Sequence, residues 1–305
     1  MPDQLLKNPL LCEPETGVCE IPGIQGDADL SVNLQSQKPV HILYFTDPIC
    51  SSCWGIEPQL RRLKLEYGHL IDIEYRMGGL LPSWAVYNSG GISKPSDVAH
   101  HWDEVSVHYE MPIDGDVWLE DPLDSSYPPS IAFKAADMQD HGKALVFLRL
   151  IREMVFLEKK NIARLEHLKT AAQEAGLDLA RFEADFNGAA RVKFEEDLQL
   201  ARQMGVRGFP TLFFANEQGD KTMVYGARPY SLFEQAVKQS FPAAVKQLYD
   251  PSSEALFGIY PSLTAKEFAE LSGVSLQDAQ AQLEALAQAG QLKEMVTKNG
   301  GIWRR

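Results

Sequence analysis

The chain has 305 residues, 45% hydrophobic and 23% charged, and its 42 acidic against 29 basic side chains give a net charge of −13. This is the balance of an ordinary globular protein of about two domains at ~150 residues each. The acid surplus disfavours general binding to a phosphate backbone. Residues 144–157, the most apolar helical stretch, are interrupted by Arg149, Arg152 and Glu153, so no bilayer span of ~20 apolar residues is expected. Asp3, Gln4, Lys7 and Asn8 break up the first eleven residues, which therefore do not read as a secretory leader. The expectation is a cytoplasmic protein with no membrane partner.

In chain order, residues 1–37 read as an irregular arm, punctuated by Pro9, Pro14, Gly17, Pro22, Gly23 and Gly26. Residues 40–45 have strand composition, and Asp47-Pro48 ends them. Cys50-Ser51-Ser52-Cys53 follows, then a helical pattern to Glu66 with Ile56, Leu60 and Leu63 on one face. Residues 71–77 alternate as a second strand, so a parallel strand–helix–strand crossover is predicted. Helices are predicted over 96–109, with Ser96 or Asp97 as cap, and over 130–139, 142–158, 165–175, 179–187 and 189–204. A loop is predicted over 112–129. Residues 211–214 and 222–225 read as an antiparallel hairpin, and 230–240 as a closing helix ended by Pro242. Beyond residue 250, helices at 264–271 and 276–289 and a two-stranded wing about Asn299-Gly300 give a small winged helix-turn-helix pattern.

All four cysteines, Cys12, Cys19, Cys50 and Cys53, lie in the first 53 residues. A Cys-x-x-Cys pair is either half a zinc site or a redox dithiol. Two residues between cysteines at a helix start bring both sulfurs within disulfide reach. The unpaired N–H groups and dipole there favour a thiolate. Cys50 is then the attacking sulfur and Cys53, one turn inside, resolves the mixed disulfide. The order strand, Cys-x-x-Cys, helix, strand is the setting that makes the motif thioredoxin-like. Pro210, between Gly208-Phe209 and the strand from Thr211, is placed where a strand can open on proline.

The run Tyr44-Phe45-Thr46-Asp47-Pro48-Ile49-Cys50-Ser51-Ser52-Cys53-Trp54-Gly55-Ile56-Glu57-Pro58 resembles the active-site segment of the DsbA family. It is most similar to cytoplasmic members, the FrnE-like dithiol isomerases and the SpxH-type adapters of Spx degradation. Residues 205–211 resemble the cis-proline segment of that fold. The resemblance covers about residues 38–249. It implies a thioredoxin-like (DsbA-type) α/β fold with a mixed sheet and a helical insertion at about 96–204, beside an arm at 1–37 and a winged-helix-like domain at 250–305. It implies Cys50 as nucleophile, Cys53 as resolving thiol, Ser51 and Ser52 as the dipeptide that tunes the potential, and Phe209 and a cis Pro210 as substrate contacts. The buried acid that many such folds place on the strand before the motif is not found: Tyr44 stands six residues before Cys50.

Trp54 reads equally as a shield or docking surface for the dithiol and as core. Cys12 and Cys19 read as silent thiols, as a second dithiol or shuttle to Cys50, or as part of a metal site. Neighbouring Glu13, Glu15 and Glu20 oppose thiolates there. His100, His101 and His108 read as a solvated helix face. No metal or cofactor is expected. Residues 251–305 hold six acids and five bases, and 276–289 hold no Lys or Arg, so this tail is expected to dock protein rather than nucleic acid. The leading expectation is a thiol–disulfide oxidoreductase or isomerase acting on protein or small-molecule disulfides. The alternative is a binding adapter that presents a regulator to the ClpXP protease, its dithiol a sensor or a relic. A kappa-type glutathione transferase, which commonly carries Ser at the first cysteine, is disfavoured by the intact pair.

Overall fold

A computed structural model describes residues 17–20, 38–85 and 94–305. Its central sheet has the strand order β3-β2-β5-β6. Strand β2 (Val40–Thr46) is buried at every position, as expected of an uninterrupted apolar run with neighbours on both edges. It runs parallel to β3 (Ile71–Met77), Ile42 opposite Ile73, and antiparallel to β5 (Thr211–Ala215), Tyr44 opposite Leu212. Between β2 and β3 lie α1 (Ser51–Gly55) and α2 (Glu57–Tyr67), separated at Ile56, with Pro58 in the first turn of α2. Proline is tolerated there because that N–H has no helical acceptor. The sheet closes on β6 (Lys221–Tyr225), antiparallel to β5, and on α10 (Tyr230–Ser240).

The insertion comprises α3 (Ser96–Tyr109), α4 (Val117–Glu120), α5 (Tyr127–Asp137), α6 (His141–Phe156), α7 (Leu165–Glu174), α8 (Leu179–Phe186) and α9 (Ala189–Gln203). Two expectations are corrected here. Pro95, not Ser96 or Asp97, is the residue before α3, and the Asp97 carboxylate instead accepts the Lys94 N–H. The segment 112–129 is not all loop: α4 lies within it, and α5 begins at Tyr127 with a proline in its first turn. Pro128, at the start of α5, is compatible with the helix because the first-turn N–H has no helical acceptor. The insertion is tied to the sheet by Asp197 of α9. Its buried carboxylate accepts the Met77 N–H at 3.0 Å and Arg76 Nη1 at 2.8 Å, and lies 3.0 Å from Lys134 Nζ. A buried carboxylate surrounded by three donors in this way is stable where an isolated one would not be.

Two short strands lie outside the main sheet. β1 (Cys19–Glu20), inside the arm expected to be irregular, pairs antiparallel with β4 (Gly208–Phe209).

The C-terminal segment carries α11 (Ser253–Ile259), β7 (Ser262–Thr264), α12 (Ala265–Ser272), α13 (Leu276–Gln288), β8 (Lys293–Thr297) and β9 (Gly300–Arg304). The helix pair and hairpin expected there are present, joined by β7 into a sheet of order β7-β9-β8. Thr264 and Glu267 cap α12 reciprocally, the arrangement that satisfies two orphan N–H groups at once. A second apolar cluster, separate from the main core, gathers Leu256, Phe268, Leu283 and Trp303, and takes in Leu65 of α2. No described helix is long and apolar enough to cross a membrane.

Candidate functional site: a buried dithiol beside a cis-proline strand

The loop after β2 sets the first sulfur. Asp47 Oδ1 accepts the Ile49 N–H at 3.0 Å and the Asp47 carbonyl accepts the Cys50 N–H at 3.2 Å, an aspartate turn that reverses the chain into α1. Cys50 occupies the N-cap of α1 in extended conformation, and its Sγ accepts the Cys53 N–H at 3.1 Å. Cys50 and Cys53 form a disulfide with Cα atoms 5.2 Å apart, inside the range such bonds need. Ser51 and Ser52 fill the intervening turn and are buried. Ser52 Oγ lies 2.8 Å from the Tyr109 hydroxyl at the end of α3.

Trp54 is fully buried beneath this turn. Its Nε1 donates to the Pro112 carbonyl at 3.0 Å, its ring stacks on Phe156 at 5.5 Å, and the Arg149 guanidinium lies 4.5 Å from the ring centroid. It holds the dithiol helix against the insertion and presents no face to solvent.

Asp47 is the residue that sequence reasoning missed. It stands three positions before Cys50, and its Oδ2 accepts the Leu80 N–H at 2.7 Å and the Ser126 hydroxyl at 2.9 Å. Burial pushes its carboxyl up to about 6, against the pull of these donors and of Arg152. A buried acid does precede the motif, from the turn and not from the strand position that Tyr44 occupies. The Asp-Pro pair had marked it only as a strand terminator.

The peptide bond between Phe209 and Pro210 is cis, as the resemblance implied. Phe209 is buried, and its ring fills the place where a Gly78 side chain would lie. A Cβ on Gly78 would come within 1.7 Å of Phe209 Cζ. Opposite Phe209 in the β1–β4 register stands Cys19. Its Sγ is 3.5 Å from Cys50 Sγ, and all three described sulfurs are inaccessible to solvent. The structure thus brings Cys50, Cys53, Cys19 and Phe209 together. Cys12 lies outside the described residues. Among those residues, no group of three or more His, Cys, Asp or Glu is placed to hold a metal ion.

A chain of charges links this site to the C-terminal segment. Glu267 of α12, fully buried, receives two hydrogen bonds from Arg149 (2.7 and 3.0 Å) and lies 3.2 Å from Arg61 Nε on α2. Burial alone would raise its carboxyl, but Arg149 and Arg61 hold it below the ordinary range. Glu153 pairs with Arg149 at 2.6 Å and with Arg304 of β9 at 2.7 Å. Arg61 Nη1 donates to the Ser262 carbonyl at 2.8 Å. Arg149 therefore touches both Trp54 and the C-terminal segment.

A thioredoxin family model matches residues 43–235. The chain is 34% identical over 304 residues to the ClpXP adapter protein SpxH of Halalkalibacterium halodurans, covering 98% of both chains. It is 30% identical to the ClpXP adapter protein SpxH of Bacillus subtilis, covering 88% of this chain and 90% of that one. Among solved structures, the cytosolic disulfide reductase DsbM of Pseudomonas aeruginosa superposes with a TM-score of 0.53 at 22% identity. That match covers 65% of this chain and 99% of DsbM.

Proposed function

The chain belongs to the SpxH family of DsbA-type thioredoxin-fold proteins, and from that premise we propose that it is a protein-binding adapter presenting a regulator to ClpXP. The observation that carries this reading is coverage. DsbM is matched over 99% of its length by 65% of this chain, which is the fold alone. The likeness to the halodurans adapter runs over 98% of both chains and so includes the C-terminal segment. That segment, residues 250–305, forms the docking unit of the proposal, and residues 38–249 form its thioredoxin-like scaffold. The buried pairs of Glu267 and Glu153 with Arg61, Arg149 and Arg304 hold the unit in one orientation, so a partner meets a surface fixed in advance.

A second reading is favoured by the geometry of the dithiol. Cys50 at a helix mouth, with the Cys53 N–H aimed at its sulfur, is poised for thiolate formation once reduced. This supports thiol–disulfide exchange, with Cys50 attacking and Cys53 resolving. In the adapter reading the same pair serves as a sensor. Capture of ClpX and of the regulator Spx on immobilised protein separates the two readings. The adapter reading expects equal capture by the native chain and by Cys50→Ser in reducing buffer. Failure of the native chain to retain either partner, with intact reduction of a model disulfide, replaces it by the enzyme reading.

A further inference from the structure

Cys19 stands where an exchanging substrate sulfur would stand. Its strand lies antiparallel on Gly208–Phe209, the residues before the cis bond, with Cys19 directly opposite Phe209. Its sulfur touches Cys50 Sγ at 3.5 Å. The placement is anchored from behind. The Gly17 carbonyl accepts the Ala227 N–H at 2.7 Å, and Gly17 has φ +65°, with no room for a side chain against Ala227. Val18 is buried beside it. Cys19 is itself disulfide-bonded, so an electrophilic sulfur and the predicted nucleophile are already in contact.

We propose that Cys19 is an internal exchange partner of Cys50, its strand lying on the cis-proline segment as a built-in substrate. This deepens the dithiol reading above and rests on it. An external dithiol first reduces the Cys50–Cys53 bond to two thiols. The Cys50 thiolate then attacks Cys19 Sγ. The Cys19–Cys50 bond forms, the bond Cys19 held breaks, and its former partner sulfur leaves with the electron pair and takes up a proton. Cys53 loses its proton and attacks Cys50, the Cys50–Cys53 bond re-forms, and Cys19 departs as a thiolate. One disulfide is made and one is consumed, so two electrons pass from the dithiol to the arm. An external strand pairing with Gly208–Phe209 must first displace Cys19–Glu20. The arm's bond state therefore becomes an input to the groove.

The test removes the resolving sulfur. The Cys53→Ser chain, and Cys53→Ala as a second variant, are reduced with a dithiol, reoxidised in glutathione buffer, alkylated and cut after glutamate without reduction. Glu13 and Glu57 are followed by proline and resist cleavage, so cuts after Glu15, Glu20 and Glu66 place Cys12, Cys19 and Cys50 in three separate peptides, 1–15, 16–20 and 21–66. Mass spectrometry is expected to find Cys50 chiefly as the link between 16–20 and 21–66, and that species is lost in a Cys19→Ser, Cys53→Ser double variant. Cys50 recovered mainly bound to glutathione, to 1–15 or to a second chain overturns the proposal. A reversible Cys50–Cys53 couple in Cys19→Ser alone shows that the dithiol reading survives such a failure. Absence of any couple in the native chain sinks the dithiol reading itself.

Discussion

Replacing Glu267 by Gln removes the single anion shared by two buried guanidinium groups. In the native chain its carboxylate accepts both Arg149 terminal nitrogens and lies 3.2 Å from Arg61 Nε. After substitution Arg149 keeps Glu153 at 2.6 Å, whereas Arg61 keeps one distant carboxylate, Glu57 at 3.9 Å, beside its hydrogen bond to the Ser262 carbonyl. Breaking a buried ion pair by removing one partner costs about 3–5 kcal/mol. The retained Glu153 contact and the surviving amide oxygen put this case at the lower end, roughly 3 kcal/mol. For cooperative units of this size that corresponds to a fall in Tm of about 6–12 °C. Scanning calorimetry of the full chain measures it, and tryptophan fluorescence reports whether Trp54, under Arg149, feels the change. A Tm within about 2 °C of the native value, a loss below 1 kcal/mol, would show that the network does not join α12 to α2 energetically.

Asp47→Asn tests the buried acid. Its folded-state value near 6 lies above the ordinary 3.8, so its protonation favours the folded chain. The contribution is complete below the unfolded value and is lost as pH rises through 6, on the order of 3 kcal/mol in all. The native chain should therefore gain Tm relative to Asp47→Asn between pH 8 and 4.5; a flat or opposite difference contradicts the assignment. Gly78→Ala places a methyl group in the Phe209 ring and should cost about 1–3 kcal/mol by overpacking. Urea unfolding checks it, and an unchanged midpoint would show that Phe209 is not fixed against β3's exit. Cys50→Ser should leave the circular dichroism spectrum intact while abolishing exchange with glutathione. Residual exchange at the native rate would remove Cys50 from its role.

Local patterns made the main sheet and most helices legible. Residues 40–45 and 71–77 carry strand composition and alternation, and the helices of the insertion carry their own periodicity. The β8–β9 hairpin was readable because its turn chemistry is local, although the turn falls on Lys298-Asn299 and Gly300 opens β9 opposite Thr297. What was not readable was long-range. β1 and β4 have two residues each, too few for any period, and their pairing joins Cys19 to Phe209 across most of the thioredoxin-like unit. Arg149, Arg152 and Glu153 served in the sequence only as interruptions of an apolar stretch. In the structure Arg152 and Glu153 are almost fully buried, because Glu57, Glu267 and Arg304 arrive from distant segments to neutralise them and Arg149. Asp47 was overlooked because its partners, Leu80 and Ser126, lie 33 and 79 residues away.

The rate at which ClpXP degrades purified Spx, with and without this protein, reaches the central claim most directly. The account predicts that the native chain and a Cys50→Ser, Cys53→Ser double variant accelerate degradation alike in reducing buffer. No acceleration by the native chain, at concentrations that saturate the protease, would contradict it.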